Sequence, residues 1–219
     1  MDTIAISLME KNDLPEAARV LSIAMRDNPL HVAIFQGSDE KSRREIEAMF
    51  AALFAELPGV TFLAKAGQAI VGVMRMKSCK GRKPPEDPIG PIDPDDINWR
   101  KAVWHRAWAR RDPAEQHWHL GPIGVLPDRQ GAGIGSALMQ RFCREVDACR
   151  SMAYLETDLE KNVRFYEKFG FKVVATSDVL HVKNSYMVRP GGTEGDKALQ
   201  GFEGLRNEGA KGSRVQGAG

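Results

Sequence analysis

The chain has 219 residues and a mass of 24.2 kDa, which suits one domain with appendages and falls short of two full-sized domains. Hydrophobic residues make up 42% and charged residues 27%, so the chain can build one sizeable core and is not disordered throughout. Lys and Arg number 31 against 29 for Asp and Glu. Because so small an excess gives no strong field to hold a polyanion, we expect no nucleic-acid partner.

The cysteines and the apolar runs bear on where the protein works. Cys79, Cys143 and Cys149 are an odd set without paired metal-ligand spacing, so the sequence predicts neither a disulfide framework nor a metal site. A reducing cytoplasm fits this usage. The N-terminal residues do not resemble a targeting signal, and no apolar run approaches the ~18 residues of a membrane helix. We therefore expect a soluble, cytoplasmic protein without a membrane partner.

The first part of the chain predicts a strand, two helices and a β-hairpin. Their ranges are a strand over 3–8, helices over about 12–26 and 41–57, and strands over 60–65 and 69–77. Pro15 fits the first turn of the first helix, and Ile46, Phe50 and Leu53 share one face of the second. Gly67-Gln68 separates the last two strands and predicts a tight turn between antiparallel neighbours.

Residues 79–116 read as an insertion rich in proline and tryptophan. Between Pro84 and Pro94 the prolines are too dense for a helix or strand, which predicts an irregular connection. Residues 95–111 then have a helical pattern with Trp104 and Trp108 on one stripe. These tryptophans either wall a ligand pocket or brace the inserted helix on the core.

The second part predicts a βαβαββ series followed by a tail. Its ranges are a strand over 117–125, a helix over about 133–149, a strand over 152–157, a short helix over 162–169, and strands over 172–178 and 186–189. The poor strand residues Gly121 and Pro122 predict a β-bulge in the first of these strands. Residues 190–219 are rich in glycine and short of core-forming side chains, which predicts a flexible tail.

A glycine-rich turn connects the strand over 117–125 to the helix that follows. Gly131, Gly133 and Gly135 alternate with other residues, so successive backbone N–H groups can converge at a helix N-terminus, where anions are stabilised. Such a turn is suited to cradle a pyrophosphate, and the alternative is a turn that only packs helix against strand. A dinucleotide fingerprint fits poorly because Ser136 stands where glycine or alanine is needed, and a P-loop lacks its lysine.

Two motifs with defined spacing occur in the second part of the chain. Gln130-x-x-Gly133-x-Gly135 resembles the acetyl-CoA signature of the GNAT (Gcn5-related) N-acetyltransferase family. Leu155-Glu156-Thr157 followed by Asn162-x-x-x-Tyr166-x-x-x-Gly170-Phe171 resembles the other half of its site. Within the family, the Leu-Glu-Thr run and the Leu-Gly-x-x-Gly-Val strand are similar to puromycin-type small-molecule N-acetyltransferases. The insertion departs from that branch, so the acceptor is not carried over.

The resemblance implies a mixed α/β fold for residues 1–189, with a mostly antiparallel twisted sheet between helices and with splayed fourth and fifth strands. It implies transfer of an acetyl group from acetyl-CoA to a primary amine, most readily that of a small molecule, through a tetrahedral intermediate and without a metal. The implied cofactor-binding residues are Ile123, Gly124 and Val125 beside the pantetheine, Gln130, Gly131, Ala132, Gly133, Ile134, Gly135 and Ser136 around the pyrophosphate, and Asn162.

The same resemblance implies the acid and base of the reaction. Tyr166 is the implied general acid, since a phenol with a pKa near 10 can protonate a departing thiolate whose thiol has a pKa near 8.5. Glu156 is the first candidate for the base and His119 the second, although either side chain could instead be purely structural. Cys143 and Cys149 are expected to pack in the core, which favours direct transfer over an acyl-cysteine intermediate.

Some questions stay open at the level of sequence. The acceptor could be a protein N-terminus or a lysine, and the chain could be an acyl-CoA-binding module without catalysis. Arg129, Lys161 and Arg164 are candidates to meet the 3′-phosphate of the cofactor. The protein could be a monomer or a homodimer.

Overall fold

A computed structural model describes residues 3–81 and 90–191, and the strands in these residues form one seven-stranded sheet. The strands are β1 (Ile4–Leu8), β2 (Val60–Ala66), β3 (Ala69–Cys79), β4 (His117–Val125), β5 (Met152–Thr157), β6 (Lys172–Val179) and β7 (Val182–Arg189). The helices are α1 (Leu14–Met25), α2 (Pro29–Phe35), α3 (Glu40–Glu56), α4 (Ile97–Ala109), α5 (Ile134–Ala148) and α6 (Glu160–Glu167).

The strand order in the sheet is β1-β2-β3-β4-β5-β7-β6. The β4–β5 pair is parallel, and the other neighbouring strands pair antiparallel. The predicted mixed α/β fold with a mostly antiparallel sheet is therefore confirmed. Residues 82–89 of the predicted irregular connection, and the predicted tail beyond residue 191, lie outside the described residues.

Helices cover both faces of the sheet. Alternate strand residues point to opposite sides, and apolar residues on both sides pack against helices. In β2, Phe62 packs into the hydrophobic cluster under α5 and α6, whereas Leu63 packs into the cluster under α1 to α4. The stripe predicted for α5 is buried in the first cluster: Ile134, Leu138, Phe142 and Val146. The strand pattern and the helix stripe together place β3, β4 and β5 between two apolar layers.

The β4 strand is bulged and then separates from β5. Met74 pairs with Ile123 and Met76 with Leu120, so β4 has one extra residue between these pairs, at the predicted Gly121-Pro122 position. Residues 117–119 of β4 pair with residues 152–154 of β5, and the ladder ends there. The predicted bulge and splay are both confirmed, and a gap opens between the ends of the two strands.

Two features of the fold differ from the predictions. The α2 helix was not predicted; Asn28 caps it by accepting a hydrogen bond from the His31 backbone N–H at 3.1 Å. The β7 strand begins at Val182, four residues before the predicted start, because Leu180 and His181 form a turn with φ of 51° and 64°. Neither residue is glycine or asparagine, the types that usually indicate left-handed backbone, so the sequence pattern does not reveal the hairpin.

The tryptophans of the predicted insertion fix α4 to the rest of the domain. Trp104 is buried, with its ring 4.9 Å from that of Trp108 and 6.0 Å from that of His31. The Trp108 indole donates to Asn184 Oδ1 of β7 at 3.3 Å. These contacts favour the bracing role for Trp104, while Trp108 lies against the sheet beside Tyr154 and Tyr186. Among the described residues, no helix is both long enough and apolar enough to cross a membrane.

Candidate active site

The glycine-rich turn is open to solvent where β4 leads into α5. Gly131 and Gly133 have φ of 79° and 82°, a left-handed backbone that side chains rarely adopt. Neither glycine has another atom within 4 Å of the position of a Cβ, so packing does not explain the missing side chains. Gly133 is the N-cap of α5, and no side chain caps the helix there.

The backbone N–H groups of this turn, from Gly131 to Ser136, make no hydrogen bond to an acceptor among the described residues. The next amide, that of Ala137, donates to the carbonyl of Gly133 at 3.0 Å. Consecutive unpaired amides at a helix N-terminus present partial positive charge to an anion. This arrangement favours the cradle over a turn that only packs helix against strand.

Gln130 connects the turn to the end of β4. Its amide Nε2 donates to the carbonyl of Val125 at 3.1 Å. The backbone amide of Leu126 donates to the carbonyl of Val71 in β3, so by antiparallel alternation the polar backbone groups of Ile123 and Val125 face away from β3 and into the gap. This edge of β4 can pair with an extended ligand that carries amide groups.

Gly124 is a glycine for a reason that concerns the fold. A Cβ at this position would lie 2.8 Å from Ala24 Cβ and 2.9 Å from Leu21 Cδ2, so α1 approaches β4 closely here. At Gly135 a Cβ would lie 3.6 Å from Phe165 Cζ of α6, an ordinary van der Waals distance, so packing does not require glycine there. Gly124 thus allows α1 to lie close to the β4 wall of the gap.

The α6 helix presents Asn162 and Tyr166 one turn apart on one face, as their spacing predicts. Asn162 is half-buried, and Tyr166 is buried against Phe165 and Phe171 at ring distances of 5.4 and 6.2 Å. Burial, with a smaller contribution from Asp158, raises the pKa of Tyr166 well above its usual value. The expected near-normal phenol pKa is therefore wrong, and Tyr166 keeps its proton more firmly than a solvated tyrosine.

The structure brings the two candidate bases together. His119 Nε2 lies 2.8 Å from Glu156 Oε2, and the side chains are 11% and 3% exposed. His119 is in the last paired position of β4 with β5, opposite Tyr154, and Glu156 lies two residues further along β5. This pair therefore lies at the point where the strands begin to part.

Residues that the sequence analysis did not select extend this polar group. His117 is fully buried, and its ring lies 5.6 Å from that of Tyr154. The sulfur of Cys79 and one ring nitrogen each of His117 and His119, atoms that could coordinate a metal ion, lie within 4.8 Å of one another. The pairing of Cys79 with His117 joins β3 to β4 across the whole insertion, so residue spacing gave no signal for this cluster.

The charges in this cluster are strongly coupled. Burial opposes ionisation of Cys79, but contacts with His117 and His119 lower the pKa of its thiol to about 6. Burial also opposes protonation of the two rings. The pKa of His117 is nevertheless raised to about 10, mainly by Asp112, and that of His119 to about 9, mainly by Glu156. The cluster thus stabilises a thiolate beside positive charge.

The remaining candidates lie nearer the surface. Arg129, Lys161 and Arg164 are exposed near the turn and α6, and Arg129 lies 3.6 Å from the carboxylate of Asp128. Cys143 packs against the core as expected, and burial raises the pKa of its thiol. The packing role expected for Cys149 is wrong, because this residue is exposed after the end of α5.

Solved structures with the same fold include several acetyltransferases. A Corynebacterium glutamicum protein described as histone acetyltransferase HPA2 and related acetyltransferase is 18% identical, with a TM-score of 0.63 over 88% of this chain and 98% of that one. A GNAT family acetyltransferase from Brucella melitensis in complex with acetyl-CoA is 18% identical, with a TM-score of 0.52 over 90% and 95%. Mosquito arylalkylamine N-acetyltransferase like 5b is 13% identical, with a TM-score of 0.55 over 85% and 99%.

At these identities the structural similarity establishes the fold alone. A family model provides the stronger finding, since it matches residues 19–171, which include the bulged β4 strand, the glycine-rich turn, Glu156 and Tyr166. The family is described as the acetyltransferase (GNAT) family, whose members use acetyl-CoA as co-substrate. This chain is a member of the GNAT family of N-acetyltransferases.

Proposed function

We propose that this chain transfers the acetyl group of acetyl-CoA to a primary amine of a small molecule. The observation that carries the proposal is the set of unpaired N–H groups from Gly131 to Ser136, which lies next to the gap between β4 and β5. The amides offer a site for the cofactor's diphosphate, and the gap offers a route for its thioester arm. Puromycin-type enzymes remain the narrower similarity that favours a small acceptor.

The cofactor lies along the side of the sheet that α5 and α6 cover. Its diphosphate accepts hydrogen bonds from the amides of Gly131, Ala132, Gly133, Ile134, Gly135 and Ser136, with Gln130 supporting the turn. Its pantetheine pairs with the free edge of β4 at Ile123 and at the backbone amide of Val125, whose carbonyl Gln130 already contacts, passes Gly124, and meets the amide of Asn162. The thioester then lies between the parted strands, within reach of Tyr166.

The acceptor amine approaches the thioester from the other face of the sheet. Its nitrogen attacks the thioester carbonyl, a C–N bond forms, and a tetrahedral intermediate results. Glu156 takes the ammonium proton before this attack, so that the attacking nitrogen is neutral, and later releases it to solvent. Collapse of the intermediate breaks the C–S bond, and the nitrogen loses its second proton, which replaces the one that Tyr166 gives up. Tyr166 gives its proton to the departing thiolate, and free coenzyme A and the acetylated amine are the products.

The contacts of the acid–base pair favour Glu156 over His119 as the base. The Nε2 atom of His119 already makes a hydrogen bond with Glu156 Oε2. The second carboxylate oxygen of Glu156 makes no hydrogen bond of normal geometry with a described side chain, although the buried hydroxyl of Tyr154 interacts with this carboxylate, and we assign this oxygen to the incoming ammonium group. His119 then orients the carboxylate, and Glu156 both attracts the cationic acceptor and removes its proton.

Aromatic surroundings support a small acceptor. The face that carries Glu156 also carries Tyr154 and Tyr186, and Trp108 of α4 packs over them. Aromatic surroundings of this kind suit a compact apolar or aromatic amine, whereas an extended polypeptide needs a long groove. The mosquito relative, named for arylalkylamines, points the same way. A protein N-terminus or lysine remains the alternative acceptor.

A panel of amines tests the proposed function. Purified protein is given acetyl-CoA with arylalkylamines, aminonucleosides, aliphatic amines or lysine-containing peptides, and release of free thiol is followed. We expect turnover with small aromatic amines and little with peptides. Glu156→Gln should lower kcat/KM by roughly 100-fold, while Glu56→Gln, an exposed control at the end of α3, should not. Turnover of peptides alone would contradict the small-molecule acceptor.

A further inference from the structure

A second cluster of reactive side chains lies behind the Glu156–His119 pair, on the face of the sheet that α4 covers. Cys79 ends β3, directly opposite His117 in β4, and His119 is two residues further along the same strand. Alternation places His117 and His119 on one face of β4, and both rings contact Tyr154. One ligand atom from each of the three residues lies within 4.8 Å of the others.

We propose that Cys79, His117 and His119 bind a Zn²⁺ ion. This site goes beyond the acetyl transfer proposed above, which requires no metal. The donor set of one thiolate and two imidazoles is one that zinc prefers. A tetrahedral Zn²⁺ ion holds such atoms roughly 3.3–3.8 Å apart, so side-chain shifts of about 1 Å would close the site.

The hydrogen bonds of the two rings leave the right atoms for coordination. His117 Nδ1 lies 2.8 Å from the carbonyl of Glu115, and His119 Nε2 lies 2.8 Å from the carboxylate of Glu156. The opposite nitrogens, His117 Nε2 and His119 Nδ1, are buried and make no hydrogen bond. A histidine that donates one ring N–H to a carbonyl or carboxylate and keeps the other nitrogen free is typical of metal ligands.

The surrounding charges favour a cation. Asp112 Oδ1 lies 3.3 Å from His117 Nε2, in a direction that does not make a hydrogen bond, and its side chain is 22% exposed. This carboxylate is the nearest group to complete a fourth coordination position. Asp112 and Glu156 supply negative charge against the positive charge of Lys77 in β3. A divalent ion would relieve the unpaired nitrogens and balance the thiolate and carboxylates.

Cobalt substitution tests this site directly. The full chain is stripped with a chelator and titrated with Co²⁺, which gives intense visible bands in a tetrahedral site and a near-ultraviolet band when a thiolate binds it. We expect both signals to saturate at one ion per chain, and added Zn²⁺ to abolish them. If wild-type protein shows neither signal, and Zn²⁺ does not raise its Tm, the proposal is overturned.

Variants identify the ligands. Cys79→Ser should remove the thiolate band, and His117→Gln should weaken Co²⁺ binding at least tenfold. Cys149→Ser, which changes an exposed cysteine, is the matched control and should leave both bands intact. Far-ultraviolet circular dichroism verifies that each variant is folded. A thiolate band that survives Cys79→Ser but disappears in Cys149→Ser would show adventitious surface binding and would overturn the site.

Failure of this proposal is separable from failure of the proposed function. The amides from Gly131 to Ser136 lie on the other side of the sheet, so the metal-free chain should bind acetyl-CoA with unchanged affinity. Absence of acetyl-CoA binding both with and without zinc would contradict the cofactor site, whereas the cobalt titration alone would still decide the metal site.

Discussion

Tyr166 shows how the surroundings of one side chain alter its chemistry. Phe165 and Phe171 shield the phenol from water, and burial raises its pKa. A phenol with a raised pKa stays protonated before the reaction but gives up its proton only to a strong base nearby. A thiolate formed in the same water-poor gap is such a base, because it too is poorly solvated. Proton transfer is therefore expected to accompany C–S cleavage.

This assignment predicts a selective defect in Tyr166→Phe. Without the phenolic proton, kcat with acetyl-CoA should fall by roughly 100-fold, since general acid catalysis typically contributes at least that much. The Kd for acetyl-CoA, measured by calorimetry, should stay within about twofold because the diphosphate contacts are untouched.

An acetyl thioester of an acidic aryl thiol provides the control. Its thiolate leaves without protonation, so the variant should recover most of the wild-type rate with this donor. An equal loss with both donors would mean that Tyr166 only supports the packing of α6 and is not the acid.

At the scale of elements, the turn between β4 and α5 combines two requirements. Its backbone has to reverse through left-handed conformations at Gly131 and Gly133, and it has to leave its amides uncovered. Glycine satisfies both, since it adopts positive φ easily and adds no side chain over the amides. The bulge at Gly121-Pro122 acts on the same region by separating β4 from β5.

Gly133→Val tests the cradle against a matched control. A branched side chain should cost about 1–2 kcal/mol of the free energy of unfolding, because φ there is 82°, and should weaken acetyl-CoA binding at least tenfold. Gly67→Val introduces the same strain at φ of 59° in the β2–β3 turn, also in open space, and should keep full affinity. Calorimetry and urea unfolding measure both quantities; tight binding by Gly133→Val would disprove the cradle.

Local signals explain which elements the sequence could predict. The α5 stripe, the Gly67-Gln68 turn and the poor strand residues at the bulge act within a few neighbouring residues, and the structure confirms all three. The short α2 helix depends on Asp158, which accepts hydrogen bonds from Asn28 Nδ2 at 2.7 Å and from the Leu30 amide at 2.8 Å. That support comes from the end of β5, so the local sequence does not reveal it.

The same distinction applies to the candidate site. Motif spacing predicted roles for Glu156 and Tyr166 that stay predictions, and the predicted strand order suggested His119, which lies against Glu156. Cys79 and His117, which lie near His119, come together only when β3 pairs with β4. The raised pKa of Tyr166 depends on burial, to which Phe171, just before β6, contributes. Long-range pairing and burial are tertiary properties, which patterns of neighbouring residues in a sequence do not reveal.

At the scale of the whole molecule, the sheet separates the residues to which we assign the cofactor from those to which we assign the acceptor. The side under α5 and α6 carries the open amides and Tyr166, and the side under α1 to α4 carries Glu156 and its aromatic neighbours. The gap between β4 and β5 joins the two sides. The cofactor and the acceptor can thus approach from opposite faces, so that binding of one does not block binding of the other.

The layer under α1 to α4 contains a histidine that links stability to pH. The His31 ring is 5% exposed, lies between the rings of Phe50 and Trp104 among others, and contacts the carbonyl of Met25 through Nδ1 at 3.1 Å. Burial lowers its pKa, against smaller opposing effects of the Met25 carbonyl and Asp158. The folded protein therefore holds this ring neutral where the unfolded chain, with a pKa of about 6.5, becomes protonated.

This difference predicts that His31 lowers the free energy of unfolding as pH drops below about 6.5, by up to about 1.4 kcal/mol per pH unit for one such ring. His117 and His119, whose pKa values are raised, act with the opposite sign, because the folded protein already holds these rings protonated where the unfolded chain is still taking up protons. The pKa of His105 is also lowered, but its side chain is exposed, so its share is smaller. Urea unfolding of the wild type and of a His31 variant at a series of pH values below 7, with a chelator present, gives the His31 contribution as the difference between the two slopes.

His31→Asn isolates the contribution of the buried ring. Asparagine can still donate to the Met25 carbonyl but does not titrate, so the variant should be less stable at pH 7 through lost packing, and its deficit in stability relative to the wild type should shrink on acidification. His181→Asn, in the exposed β6–β7 turn, tolerates the left-handed backbone there and should keep the wild-type slope. An unchanged slope in His31→Asn would mean that another group controls the acid sensitivity of the domain.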